Sequence, residues 1–232
     1  MPWQNYQDLE VDPPQHAPIR RRYSVTADIL SYQRCPRQYG YFKIHGYEPA
    51  HAVQVYFGTI IHQVLDRAHA HYKGLYNPAT AGQMPTGAEI DAYFTEVDNA
   101  LRSRGIRAIN PQLRDLACEL IKRFNELEGP TLYPRVRETE HPIQANRGDY
   151  ILHGTVDVLA DPEVGEPAYD QMEIWDYKGT KFPDPNASNP SQAELNQRRL
   201  RMYEFQMYVY AKLYQTRNGV YPAKAILYFL NE

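Results

Sequence analysis

The stretch from residue 150 to residue 178 limits most narrowly what this chain can fold into. It reads Tyr150-Ile-Leu-His-Gly-Thr-Val-Asp157-Val-Leu-Ala160, then a loop, then Met172-Glu-Ile-Trp-Asp176-Tyr-Lys178-Gly179. Both runs have strand character and each delivers a carboxylate. Successive side chains on a strand point to opposite faces, so Asp176 and Lys178 share a face with Ile174 and Met172. Those apolar neighbours set the face against a core and bring an acid and an amine out of bulk solvent. A further strand is expected over 135–145, and Asn146-Arg-Gly148-Asp149 reads as the hairpin turn between it and 150–160.

Helical periodicity flanks these strands. Ser24-Val-Thr26-Ala-Asp28 offers N-cap residues ahead of Ile29, Leu30, Tyr32 and Gln33, and Cys35-Pro36 interrupts the segment. A second helix is expected from Phe57-Gly58-Thr59, with Ile61, Val64, Leu65, Ala68 and Tyr72 as its apolar stripe. His62 lies beside that stripe, at the edge of a core, where it can look into a cleft. Residues 74–88 read as a loop, and 88–104 and 111–128 as helices. A polar loop over 179–192 has the length of a lid or substrate guide. It leads to a helix over 193–216 that Asn218-Gly219 ends, and Lys224 to Leu230 forms a last buried strand. Helices, three meandering strands, a crossover helix and a fourth strand make an α/β domain with a mixed sheet. Residues 1–22, with Pro2, Pro13, Pro14, Pro18 and the run Arg20-Arg21-Arg22, read as a tail or linker.

Composition narrows the chemistry. A chain of 232 residues with 43% hydrophobic and 23% charged content can bury a substantial core. A net charge of -3 argues against a wholly basic surface and leaves only local patches for nucleic acid. No apolar run reaches the roughly 18–20 residues of a membrane span, and no signal-peptide segment stands at the N-terminus. A soluble, cytoplasmic protein without a membrane partner is expected. Cys35 and Cys118 form no CxxC pair and read as reduced thiols. No Gly-x-Ser-x-Gly or Cys/His arrangement favours a metal-independent hydrolase.

Oxygen ligands fit better. Hard divalent cations take one or two carboxylates plus waters and substrate phosphates, a role that suits Asp157 and Asp176. Gly154 and Gly179 flank them and would let a backbone or a phosphate approach closely. Lys178 could stabilise phosphate charge or help to orient and deprotonate water. Gln206 and Tyr210 sit one turn apart on the long helix and project from one side of it. Arg198, Arg199 and Arg201 lie at its start, within reach of a polyanion entering by the 179–192 loop. The combination points to metal-assisted phosphodiester hydrolysis.

Five pieces of the sequence, in order, resemble the PD-(D/E)XK nucleases of the RecB-like branch, which includes nuclease domains of helicase–nucleases and CRISPR-associated adaptation nucleases. They are Ser31-Tyr-Gln-Arg-Cys-Pro-Arg-Gln-Tyr39, Phe57-Gly-Thr-Ile-Ile-His62, Gly154-Thr-Val-Asp157, Ile174-Trp-Asp-Tyr-Lys178-Gly179 and Gln206-Met-Tyr-Val-Tyr210. The resemblance implies a restriction-endonuclease-like αβββαβ core over 23–232, with a helical insertion at about 74–130. It implies His62, Asp157 and Asp176 as ligands of Mg²⁺ or Mn²⁺, with the Tyr177 carbonyl as a further ligand. Lys178 would be the catalytic lysine, and Gln206 and Tyr210 would position DNA or the lysine. Several relatives in that branch hold an iron–sulfur cluster with one early and three late cysteines. Cys35 fits the early position, but no cysteine follows Cys118, so no cluster is expected.

The expected activity is a metal-dependent deoxyribonuclease acting on single-stranded or frayed DNA ends, in repair, recombination or antiphage defence. Its rivals are a DNA-end-binding module that keeps the fold and barely cuts, and a regulatory subunit that cuts only with a partner helicase.

Overall fold

A computed structural model describes residues 21–47 and 53–232. Residues 1–20, including Arg20 and most of the expected tail, lie outside the described residues. The chain enters at β1 (Arg21–Ser24), so Arg21 and Arg22 belong to a strand, inside the stretch expected to be linker. Its four residues are too few to show any alternation, and pairing with a distant strand is what extends them.

Ser24 then caps a helical segment. Its Oγ accepts from the Ala27 amide at 3.2 Å, and its own amide donates to Asp28 Oδ2 at 2.7 Å. The segment winds through wide turns at Val25–Leu30 and Gly40–Ile44, with the short helices α1 (Ser31–Arg34) and α2 (Pro36–Tyr39) between them. Cys35 is extended and Pro36 occupies the first turn of α2, the break its sequence announces.

α3 (Val53–Tyr72) begins about a turn before the Gly-Thr pair that looks like its start. The reason is tertiary: Tyr56 is fully buried, and its hydroxyl donates to Asp98 at 2.8 Å, which holds the extra turn in helix. Tyr56, Ile60, Ile61, Val64, Leu65 and Ala68 form its buried stripe. α4 (Gly87–Ser103), with a Thr86–Glu89 capping box, and α5 (Pro111–Leu127), capped by Asn110, pack over α3. After α6 (Gly129–Leu132) come the strands β2 (Val136–Asn146), β3 (Tyr150–Ala160) and β4 (Glu173–Lys178). The crossover helix α7 (Pro190–Asn218) ends at Gly219, whose φ of 80° only glycine adopts without strain, and β5 (Lys224–Phe229) closes the sheet.

The sheet is mixed, and its pairing locates the site. β2 covers one edge of β3 antiparallel along nearly its whole length. The other edge is shared: β1 pairs parallel with Tyr150 to His153, while β4 pairs antiparallel only with Val158, Leu159 and Ala160. Between His153 and Val158 that edge is left open, so the sheet forks. β5 lies parallel to β4 over all six residues, as the α7 crossover requires. One face packs against α3, α4 and α5 through Val158, Trp175 and Tyr177. The other packs against α7 through Ile143, Val156 and Ile174.

The 179–192 loop is held rather than free. Asn196 of α7 donates to the Asp184 carbonyl at 2.7 Å, and Phe182 sits edge-on to Phe229 at 5.5 Å between centroids. Among the described residues, no helix is long and apolar enough to cross a membrane.

The three-helix layer depends on a buried charge. Asp98 is 3% exposed and accepts from Tyr56 at 2.8 Å and Arg114 at 2.9 Å, with Arg102 at 3.1 Å. Burial alone would raise its pKa, but the hydrogen bonds from Arg114, Tyr56 and Arg102 outweigh burial and hold it below the usual aspartate range. A depressed folded-state pKa contributes stability above the unfolded value that is lost as pH falls through the folded one. Asp98→Asn is expected to cost about 2–3 kcal/mol at pH 7. The gap to the parent should shrink below about pH 4, as denaturant melts across pH would show.

Candidate metal-assisted hydrolysis site

The fork in the sheet is where the chemistry collects. The β3–β4 pairing stops at Val158↔Trp175, so Asp157 and Asp176 are the first residues past the split. There a side chain replaces the missing backbone bond: Asp157 Oδ2 accepts from the Tyr177 amide at 2.6 Å. β3 also changes phase at this point. Val156 and Leu159 pack on the α7 side and Val158 on the α3 side, while Asp157 reaches His62 of α3. Two consecutive residues, Asp157 and Val158, thus face the same way, a break in the strand's alternation.

The partner strand carries the matching distortion. The β2–β3 register sets Thr139 opposite Val158 and His141 opposite Val156, which puts Glu140 across from Asp157. Glu140 has a φ of 46°, alone among non-glycine described residues in being positive. A bulky residue in the left-handed region costs on the order of 1–3 kcal/mol and persists where its surroundings impose it. Here it aims a carboxylate: ligand atoms of His62, Glu140 and Asp157 all lie within 4.8 Å of one another.

From the α7 side come Asp176, Lys178, Gln206 and Tyr210. Asp176 is 3% exposed. Its Oδ1 accepts from Gln206 Nε2 at 2.7 Å, and its Oδ2 is ion-paired with Lys178 but has no hydrogen bond of acceptable angle. Gln206 Oε1 accepts from Lys178 Nζ at 3.2 Å, and Gln206 Nε2 also donates to Tyr210 Oη at 3.2 Å. Tyr203 underlies the ammonium, with its centroid 4.9 Å from Nζ. His62, Asp157, Asp176, Lys178, Gln206 and Tyr210 line one cleft of about 280 Å³ together with Ser24 and Thr26. His62 also borders a second hollow of about 390 Å³, with Asp66 and Glu140 on its wall.

The electrostatics are those of crowded acids. Burial pushes Asp176 up to about 6 against the pull of Lys178, with the charge on Asp157 adding to the rise. Burial, then the charge on Asp157, raises Glu140. Burial opposes charge on His62, but the hydrogen bond and charge of Asp157, with Asp176 and Glu140 beyond, raise it on balance. Each shift lets a proton substitute for a missing positive charge. A hard cation matches this donor set of carboxylates and an imidazole, and the hydrogen-bond-deficient Asp176 Oδ2 is suited to it.

Sequence-expected residues fall into four groups. His62, Asp157, Asp176 and Lys178 converge. Tyr177 contributes through its backbone. Its amide points to the open edge of β4, and the carbonyl of a strand residue points the same way as its amide; the Lys178 carbonyl points oppositely, accepting from Leu230 at 2.9 Å. The Tyr177 carbonyl therefore faces the fork. Gln206 and Tyr210 are buried on the cleft wall, Gln206 bonded to both members of the acid–lysine pair and Tyr210 bonded to Gln206. The arginines separate: all three are exposed, and Arg198 pairs with Glu194 at 3.0 Å. Helical spacing sets Arg199 in line with Gln206 and Arg201 about 140° away.

Two readings change. Gly154 and Gly179 are not openings for phosphate: a Cβ at Gly154 would lie 2.6 Å from the Tyr210 ring, and one at Gly179 would lie 2.7 Å from Ile61. Their smallness lets the two helical layers close on the site. Glu140 was missed, because charge alternation over Arg137 to His141 looks like an exposed strand. The hairpin register could have found it, since counting back from Asn146↔Ile151 leads to Glu140 opposite Asp157.

A family model described as the PD-(D/E)XK nuclease superfamily matches residues 23–232. The comparison with curated proteins returns no match.

The strained backbone and the carboxylate of Glu140 can be separated. Glu140→Ala removes the carboxylate and keeps the strain, while Glu140→Gly removes both. Both should weaken Mn²⁺ binding by about tenfold or more in calorimetry. Melts in EDTA should place the glycine variant above the alanine variant by about 1 kcal/mol.

Proposed function

The chain belongs to the PD-(D/E)XK nuclease superfamily, and from that premise we propose that it is a metal-dependent deoxyribonuclease of the RecB-like branch, acting on single-stranded or frayed DNA ends. The observation that carries the reading is the meeting of His62, Asp157, Asp176 and Lys178 at the open fork of the sheet. Residues 23–232 form the nuclease domain in this proposal, and the helices α4 and α5 belong to its insertion at about 74–130. Repair, recombination or antiphage defence in the cytoplasm is the setting the reading suits.

His62, Glu140, Asp157, Asp176 and the Tyr177 carbonyl would hold Mg²⁺ or Mn²⁺. A cation held there supplies Lewis acidity toward a phosphate oxygen and lowers the pKa of water. The protein's part is positional. Asp157 is fixed at one oxygen by the Tyr177 amide, which leaves Oδ1, now on His62, to turn toward a ligand. Lys178 is held at the cleft wall by Gln206 and Tyr203, where its ammonium can neutralise charge on the phosphate and orient the attacking water. Gln206 fixes Asp176 and Lys178 at once, so the two cannot drift apart. Burial of Asp176 and partial burial of Lys178 keep the dielectric low and strengthen each of these interactions.

The test is cleavage of end-labelled linear and circular DNA, single- and double-stranded, with Mg²⁺, Mn²⁺ or EDTA. Cutting should need the metal and fall by about 10³-fold or more in Asp176→Ala and Lys178→Ala. Gln206→Ala, which touches neither metal nor phosphate in this reading, should cost about 10- to 100-fold. Equal cutting by parent and variants would reject the site. Binding without cutting by the parent would favour the end-binding module.

A further inference from the structure

We propose that Tyr32, Arg37, Tyr41 and Tyr47 form a stacking surface that receives single-stranded DNA and leads it into the cleft. The inference rests on the deoxyribonuclease reading above and names the part of the protein that would select unpaired strands.

Three observations carry it. First, the tyrosines are far more exposed than core packing accounts for: Tyr32 is 54%, Tyr41 44% and Tyr47 64% exposed. They are also organised. Tyr41 meets Tyr47 edge-on at 5.9 Å, Tyr32 meets Tyr39 edge-on at 5.7 Å, and the Arg37 guanidinium lies 5.9 Å from the Tyr41 centroid. Ring faces that pack edge to face leave flat apolar surface for a base.

Second, charge follows the rings. Over residues 25–47 the basic side chains Arg34, Arg37 and Lys43 face a single acid, Asp28, already engaged by Lys43 at 3.5 Å and by the Tyr39 hydroxyl at 3.2 Å. In a chain of net charge -3, a segment of opposite balance stands out as a place for phosphates. Aromatic faces interleaved with guanidinium groups are the chemistry that holds single strands without reading sequence. A duplex keeps its bases stacked on one another and offers these rings nothing.

Third, the segment that carries the rings starts at the site. Ser24 and Thr26 line the cleft that holds Asp157, Asp176 and Lys178, and the helical turn they begin runs directly into Tyr32. A strand lying along this segment would be led toward the cleft that holds the lysine.

The experiment measures anisotropy of a labelled oligothymidylate of about 20 nucleotides, enough to span such a surface. It is run in EDTA so that no cutting intervenes, beside a duplex of the same length. A Tyr41→Ala/Tyr47→Ala double variant should bind the single strand about tenfold or more weakly, the loss expected for one or two stacked bases. Tyr41→Phe, which keeps the ring, should bind as the parent does, and duplex affinity should change less than twofold. Parent-like binding by the double variant would overturn the proposal. So would equal losses on single strand and duplex, or a loss in Tyr41→Phe matching that of the double variant. Failure of the nuclease reading shows elsewhere, as labelled DNA left uncut by the parent with Mg²⁺ or Mn²⁺, and leaves the binding result to be judged by itself.

Discussion

One hydrogen bond holds the architecture of this site: the Tyr177 amide donating to Asp157 Oδ2 at 2.6 Å. Ordinarily β3 and β4 would continue their ladder, and both aspartates would be carried along two paired strands. Instead the ladder ends at Val158↔Trp175, and the next amide of β4 would be left without a partner in a largely buried setting. An unpaired buried amide costs on the order of 1–3 kcal/mol. The Asp157 carboxylate removes that cost by standing in for a backbone carbonyl. The strands can then separate without penalty, and the gap between them becomes a cleft lined from both faces of the sheet. His62 and Glu140 enter from one side, and Asp176 and Lys178 from the other.

The same fork explains the distortions on either side. Asp157 can reach α3 only because β3 slips phase there, and the slip is matched in β2 by the left-handed backbone of Glu140. Strain at that residue and repulsion among the carboxylates of Glu140, Asp157 and Asp176 are both unfavourable, and they are offset elsewhere. The sheet is clamped by two apolar layers whose largest side chains are wholly excluded from solvent, Tyr56, Phe94 and Phe124 on one side and Tyr214 on the other. Glycines at 154 and 179 let those layers approach to van der Waals contact with the strand ends. A rigid frame is what allows an acid such as Asp176 to be held buried beside a single lysine.

Much of this was legible in the residues because period and punctuation agree. The two strand runs, the Asn-Arg-Gly-Asp turn between β2 and β3, the apolar stripe of α3 and the glycine stop of α7 are all local signals, and each matches the structure to within a few residues. Strand alternation pairs Asp176 with Lys178, whereas His62 is marked as a ligand by the family resemblance and Asp157 reaches α3 only because β3 breaks its alternation. What escaped depends on distant partners. β1 has no pattern of its own and exists by pairing with Tyr150 to His153. The extra turn of α3 follows from Asp98, 42 residues away, accepting from Tyr56. Glu140 was hidden because a left-handed backbone, which no local pattern announces, aims its carboxylate toward His62 and Asp157.

Gln206 shows why burial matters more than proximity in assigning a role. From spacing alone it shares a helix face with Tyr210 and could as well contact DNA as protein. In the structure its amide is used on both ends, donating to Asp176 and Tyr210 and accepting from Lys178, and only 3% of the residue is exposed. A buried amide with its main hydrogen-bonding capacity already committed has little left to offer a substrate. Its contribution is to fix the position of a carboxylate and an ammonium that already meet as an ion pair through Asp176 Oδ2. By bonding Asp176 Oδ1 and Lys178 Nζ through one amide, Gln206 fixes that pair at the cleft wall, where a cation would compete with the ammonium for Oδ2 and a phosphate would compete with Oδ2 for the ammonium.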